Sequence, residues 1–129
     1  MSAPDPFTVL IVDDDPGYRL ALSALLESES IAVAGAAANG AEAVEAAERL
    51  RPTLATMDVD MPVMDGVEAT RRIAPLGVLV VVVSGSESSE KVGEAMAAGA
   101  VASIVKSKVP TALAPLLRAI AAGEPPPAD

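Results

Sequence analysis

The sequence contains no cysteine, no histidine and no tryptophan, and Phe7 and Tyr18 are its whole aromatic content. Without cysteine there is neither a disulfide framework nor a thiolate metal site. Without histidine, the commonest general base and the commonest transition-metal ligand are missing. Chemistry in this chain therefore falls to carboxylates, hydroxyls, lysine and oxygen-bound metal. Positive charge is scarce as well: 9 Lys and Arg stand against 18 Asp and Glu, a formal charge of -9. Nucleic acid is held by clustered cations against its phosphates, and no such cluster is present, so direct nucleic-acid binding by this chain is not expected. Residues 1–6 lack the charged start and apolar middle of a signal peptide, and the longest apolar run, Val78 to Val83, is too short to cross a bilayer. The expectation is a cytoplasmic protein without membrane contact.

At 129 residues the chain suits one domain, and 51% hydrophobic content, much of it alanine, is enough for one core. Short apolar runs alternate with helical patterns. Strands are predicted at Val9 to Val12, Ile31 to Ala36, Leu54 to Met57, Val78 to Val83 and Val101 to Val105. The runs are continuous, as in strands covered on both faces, although alanines interrupt the second and fifth. The first predicted helix begins at Asp15 as N-cap with Pro16 behind it and turns Leu22, Leu25 and Leu26 inward. The second opens with Asn39 and Glu42 in a pattern close to a capping box, with Ala43, Val44, Ala47 and Leu50 inward. The third runs from Val67 to Ile73 and stops at Pro75; the fourth starts within Ser86 to Ser89 and buries Val92, Ala95 and Met96 before Gly99. The fifth follows Pro110 with Leu113, Leu116, Leu117 and Ile120 on one side.

Repeated β-α units predict an α/β fold with a parallel sheet between helices. Asp13, Ala36, Asp58, Ser84 and Lys106 each fall at or just past a predicted strand's C-terminal end. That edge is where open α/β sheets bind ligands. Asp13, Asp14 and Asp15 follow one buried strand and Asp58 ends another. Asp15 reads as a helix cap. If the two strands are neighbours, the other three carboxylates converge and need a cation, and hard oxygen donors select magnesium or manganese.

The stretch Met57-Asp58-Val59-Asp60-Met61-Pro62-Val63-Met64-Asp65-Gly66 closely resembles the phosphoacceptor loop of response-regulator receiver domains. Asp13 and Asp14 resemble the acidic pair of that family, Ser84 with Gly85 its hydroxyl-plus-small-residue signature, and Lys106 its lysine. The resemblance covers residues 7–122. It implies a three-layer, flavodoxin-like receiver fold with five parallel strands in order 2-1-3-4-5 and five helices. It leaves residues 1–6 as a disordered start and residues 123–129 as a Pro-rich tail or linker. It further implies that Asp58 takes a phosphoryl group from a histidine kinase or histidine phosphotransferase, as a signalling switch rather than an enzyme with a substrate to turn over. Mg2+, with Mn2+ as alternative, would be held by Asp14 directly, Asp13 largely through water, Asp58, and the backbone carbonyl of Asp60. Lys106 and Ser84 would contact the transferred group. A homodimer through the fourth helix, fifth strand and fifth helix is a family-based possibility.

Three features set the chain apart from most of the family. Ser103 stands where most receivers have Tyr or Phe, Ser107 where proline usually follows the lysine, and Asp60 and Ser86 occupy positions that influence dephosphorylation. Asp65-Gly66 reads as a turn with glycine where a special φ is needed. Two rival readings stay open. Asp58-Val59-Asp60 is also the Asp-x-Asp of haloacid-dehalogenase-type phosphatases, although their acidic pair comes last, and a pseudo-receiver would keep the fold without the chemistry.

Overall fold

The computed structural model of the chain describes residues 7–59, 61, 64–85 and 90–125. Asp60, Pro62, Val63, the Ser86 to Ser89 start of the fourth predicted helix, and the two ends expected to be disordered or tail-like lie wholly or partly outside those residues.

Among the described residues, five strands alternate with five α-helices: β1 (Thr8–Val12), α1 (Pro16–Ser28), β2 (Ala32–Ala37), α2 (Gly40–Leu50), β3 (Leu54–Asp58), α3 (Gly66–Ile73), β4 (Leu79–Ser84), α4 (Glu90–Ala97), β5 (Ala102–Val105) and α5 (Val109–Ala121). All strand pairs are parallel, and the sheet order is β2-β1-β3-β4-β5. Successive strand side chains point to opposite faces. In β1, Leu10 and Val12 thus join Ala43 and Ala47 of α2 and Val67 and Ile73 of α3 in one core. Val9 and Ile11 join Leu22 and Leu26 of α1 and Leu113 and Leu117 of α5 in the other. With α2, α3 and α4 on one side and α1 and α5 on the other, the molecule is a three-layer sandwich. Both faces of β3 are covered, and all five of its residues are buried. No helix among the described residues is long and apolar enough to cross a membrane.

The starts predicted for the first two helices hold. The Asp15 side chain accepts a hydrogen bond from the Gly17 amide at 2.9 Å, and Asn39 accepts one from the Glu42 amide at 2.9 Å. Glu42 reaches back to the Ala38 amide at 3.0 Å, so the box closes one residue earlier than the sequence pattern implies. Three expectations need correction. Met96 is not buried but 39% exposed, because short α4 covers the sheet margin with Ala95 and lets its next residue swing outward. Asp65 is the N-cap of α3, its side chain accepting from the Glu68 amide at 3.0 Å. Gly66 does not supply the positive φ; Met64 does, at 51°. What Gly66 supplies is space: a Cβ there would sit 2.2 Å from the Asp58 carbonyl oxygen.

Candidate functional site

Strand register brings the edge residues together. Val12 pairs with Met57, so Asp13 and Asp58 leave the ends of adjacent strands at one level. Asp58 pairs with Val83, and Ser84 pairs with Val105, so Ser84 and then Lys106 follow one step further along β4 and β5. Asp13, Asp58 and Ser84 are 2%, 5% and 2% exposed, whereas Asp14 is exposed. Buried carboxylates at the open edge of a sheet are costly unless something meets their charge.

Asp13, Asp14 and Asp58 each offer a carboxylate oxygen within 4.8 Å of the other two. Two unit charges at that separation repel by about 3 kcal/mol at an effective dielectric near 20. Oxygens around octahedral magnesium lie roughly 3 to 4 Å apart, so a small side-chain adjustment would bring these three onto one ion. With oxygen as the only donor type, the cluster fits a hard divalent cation and not a softer metal. Among the described residues, Asp13 hydrogen-bonds through Oδ1, whereas its buried Oδ2 accepts no hydrogen bond and meets only the charge of Lys106. Its Oδ1 accepts from the Asp15 amide at 2.9 Å, and its Oδ2 lies 3.2 Å from the Lys106 Nζ. The Arg19 guanidinium donates to the Asp13 carbonyl at 2.8 Å and pins this turn from one helical turn away.

Lys106 follows β5 and opens a single 3-10 turn, Lys106–Lys108, that leads directly into α5. Its ammonium sits between the Asp13 carboxylate and the Tyr18 ring, 4.4 Å from the ring centroid. Partial burial pulls its pKa down, but the close contact and charge of Asp13, the charge of Asp58 and Tyr18 outweigh this and hold it above the ordinary lysine value. Burial pushes the Tyr18 phenol up; Lys106 opposes that shift, and Asp13 and Asp58 add to it.

The loop after β3 is seated by close backbone approaches. Gly66 lies against the Asp58 carbonyl, and Gly40, at the start of α2, lies against the Met64 carbonyl, 2.2 Å from where its Cβ would be. Lys91 of α4 pairs with Asp65 at 3.7 Å across the loop's far side.

The structure thus gathers Asp13, Asp14, Asp58 and Lys106 at one edge and places Ser84 beside Asp58 in the strand order. Asp60 and Ser86 lie outside the described residues. Sequence reasoning missed Tyr18 and Arg19. Both lie about one turn into α1 behind the acidic triplet, a spacing that returns side chains over the preceding turn.

Residues 9–118 match the response regulator receiver domain family. A protein-glutamate methylesterase/protein-glutamine glutaminase of Geobacter metallireducens is 48% identical over 79% of this chain and 31% of its own length. The corresponding protein of Myxococcus xanthus is 42% identical over 79% of this chain and 30% of its own. The chain therefore spans about a third of the length of these curated relatives. Among solved structures, the response regulator domain of Thermotoga maritima CheB shares 35% identity over 91% of this chain and 89% of that chain, with a TM-score of 0.73. A CheY-like receiver domain protein of Methanospirillum hungatei shares 29% identity over 91% of this chain and 94% of its own, with a TM-score of 0.83. A sheet in this order, an acidic cluster at its switch point and a match over most of the sequence lead to one conclusion: the chain belongs to the response regulator receiver domain family of two-component signalling.

Proposed function

We propose that Asp58 is the phosphoacceptor and that Asp13, Asp14, Ser84 and Lys106 serve its chemistry. The observation that carries this reading is the convergence of three carboxylates beside one lysine at the end of β3. A carboxylate oxygen of Asp58 attacks the phosphorus of a phosphohistidine on a kinase or histidine phosphotransferase. The O–P bond forms as the N–P bond breaks, and the imidazole leaves with the electron pair and takes up a proton. Lys106, held charged by its acidic neighbours, meets negative charge on the phosphoryl oxygens, which is most of what such transfer asks of a protein. Ser84, at the end of β4, supplies a hydroxyl for a phosphoryl oxygen.

Asp14 and Asp58, with the Asp60 carbonyl assigned through family resemblance, would hold the magnesium, and manganese would fit the same donors. Asp13, whose buried Oδ2 has no hydrogen bond among the described residues, would act on it largely through water, as the family resemblance implies. The ion, when bound, supplies positive charge against the phosphoryl oxygens.

We take residues 7–122 as the receiver unit, followed by a tail. The methylesterase and glutaminase activities named for the relatives are not assigned to it, since it spans about a third of their length. Its own activity is self-catalysed phosphotransfer and dephosphorylation in the cytoplasm. The face formed by α4, β5 and α5, where Met96 and Val101 are exposed, is the surface for a partner or a second copy. Intact-mass measurement after incubation with acetyl phosphate and magnesium tests the reading. The wild-type chain should gain one phosphoryl group, and Asp58→Asn, or wild type with a chelator, should gain none. Unmodified wild-type protein would leave a pseudo-receiver, the alternative that Ser103 in place of an aromatic favours.

A further inference from the structure

We infer that Tyr18 is a positioning residue for Lys106, with its ring forming one wall of the seat that aims the ammonium at the phosphoryl group. The inference rests on the proposed phosphoacceptor role of Asp58 and extends it to a residue outside the acidic, hydroxyl and lysine set. A lysine ends in a flexible four-carbon stem, so a lysine that must meet a developing charge needs its amine confined beforehand. Here the Lys106 side chain is 36% exposed, yet two contacts fix its end. The Asp13 carboxylate lies 3.2 Å from Nζ, and the Tyr18 ring lies 4.4 Å from it, within cation–π range.

Asp13 alone fixes a distance and not a direction, and the ring adds the second constraint. Tyr18 is itself held. It is partly buried against the core that contains Leu22 and Leu26 of its own helix and Leu113 and Leu117 of α5. Its hydroxyl oxygen is buried and has no hydrogen-bond partner among the described residues. A buried phenol without a partner gains nothing from its oxygen, so the ring is the part of Tyr18 that the site uses. Phenylalanine should therefore substitute for it, and leucine, which keeps bulk without a quadrupole, should not.

A ring contact of this type corresponds to about a two- to fivefold change in an equilibrium or rate. Tyr18→Leu should lower beryllofluoride affinity in the presence of magnesium, and the rate of phosphorylation by acetyl phosphate, by that factor. Tyr18→Phe should restore both. In a Lys106→Met background, Tyr18→Leu should have no further effect, because the ring then has no amine to aim.

A measurement without metal or phosphate separates positioning from general damage. In NMR spectra of the metal-free protein, the ε-methylene protons of Lys106 should be shifted upfield by the ring in wild type and Tyr18→Phe and return to ordinary values in Tyr18→Leu. Three results would overturn the inference: ordinary Lys106 shifts in wild type, an equal loss from Tyr18→Leu with and without Lys106, or failure of Tyr18→Phe to rescue. If wild type instead bound no beryllofluoride and took up no phosphate, the phosphoacceptor reading would fall and the catalytic half of this inference with it. The ring shift would then decide the contact alone.

Discussion

Replacing Gly66 by alanine sets two effects of opposite sign against each other. Gly66 opens α3 without a positive φ, so helix propensity by itself favours alanine by at most about 1 kcal/mol. Against this, the new Cβ would lie 2.2 Å from the Asp58 carbonyl oxygen and 2.8 Å from the Val59 Cα. Both are backbone atoms of a fully buried segment, so relief requires α3 or the end of β3 to move by about 1 Å, and such overpacking costs about 2–3 kcal/mol. The net expectation is a loss of about 1–2 kcal/mol, or a fall in Tm of about 4–8 °C for a chain of this size. Far-ultraviolet circular dichroism during heating measures it. Gly93 provides the control. It lies inside α4 with nothing within 4 Å of its would-be Cβ, so Gly93→Ala should stabilise by up to about 1 kcal/mol. Because the displaced carbonyl belongs to Asp58, Gly66→Ala should also weaken beryllofluoride binding, whereas Gly93→Ala should not. A Gly66→Ala protein as stable as wild type would refute the close-approach argument.

Asp15→Ala should cost about 1 kcal/mol of stability through loss of the α1 cap while leaving magnesium affinity unchanged by calorimetry. A large loss of metal binding would instead make Asp15 a ligand. The folded-state pKa of Lys106 lies above the ordinary 10.5, so its ion-pair contribution is complete below that value and is lost only as pH rises through the higher folded value. Stability of metal-free protein should accordingly show no Lys106-linked change between about pH 6 and about pH 9, and Lys106→Met should remove the fall at the alkaline end. For Asp60, two residues past the acceptor, we expect the carboxylate to govern water near the acyl phosphate. Decay of phosphorylated Asp60→Ala with a half-life equal to wild type would remove that role.

Much of the architecture could be read from residue order because β1 and β4 are covered on both faces and carry unbroken runs of Val, Ile and Leu, while β3 is a short buried stretch, Leu54 to Met57, ahead of Asp58. Their observed ends fall within one residue of expectation. Alanine interrupts β2 and β5 because they are the two edges of the sheet, where half-exposed positions tolerate small side chains. The residues at the carboxyl edge were visible because a charged or hydroxyl group at the end of a buried strand has no packing reason to be there. What could not be read depends on tertiary contact. The seat of Lys106 on Tyr18 joins the first helix to the fifth strand, and nothing local to either announces it. The reason for Gly66 was misread as a turn angle, because close approach to the Asp58 carbonyl exists only once α3 has packed. The exposure of Met96 follows from how little of the sheet α4 covers, which its own periodicity does not encode.

The most direct test of the central claim is to locate the modified residue after incubation with acetyl phosphate, by reducing the acyl phosphate with borohydride and sequencing the peptides by mass spectrometry. The account predicts homoserine at position 58 when magnesium is present, and none when it is chelated. Reduction product at another aspartate, or equal labelling of position 58 without a divalent cation, would contradict it.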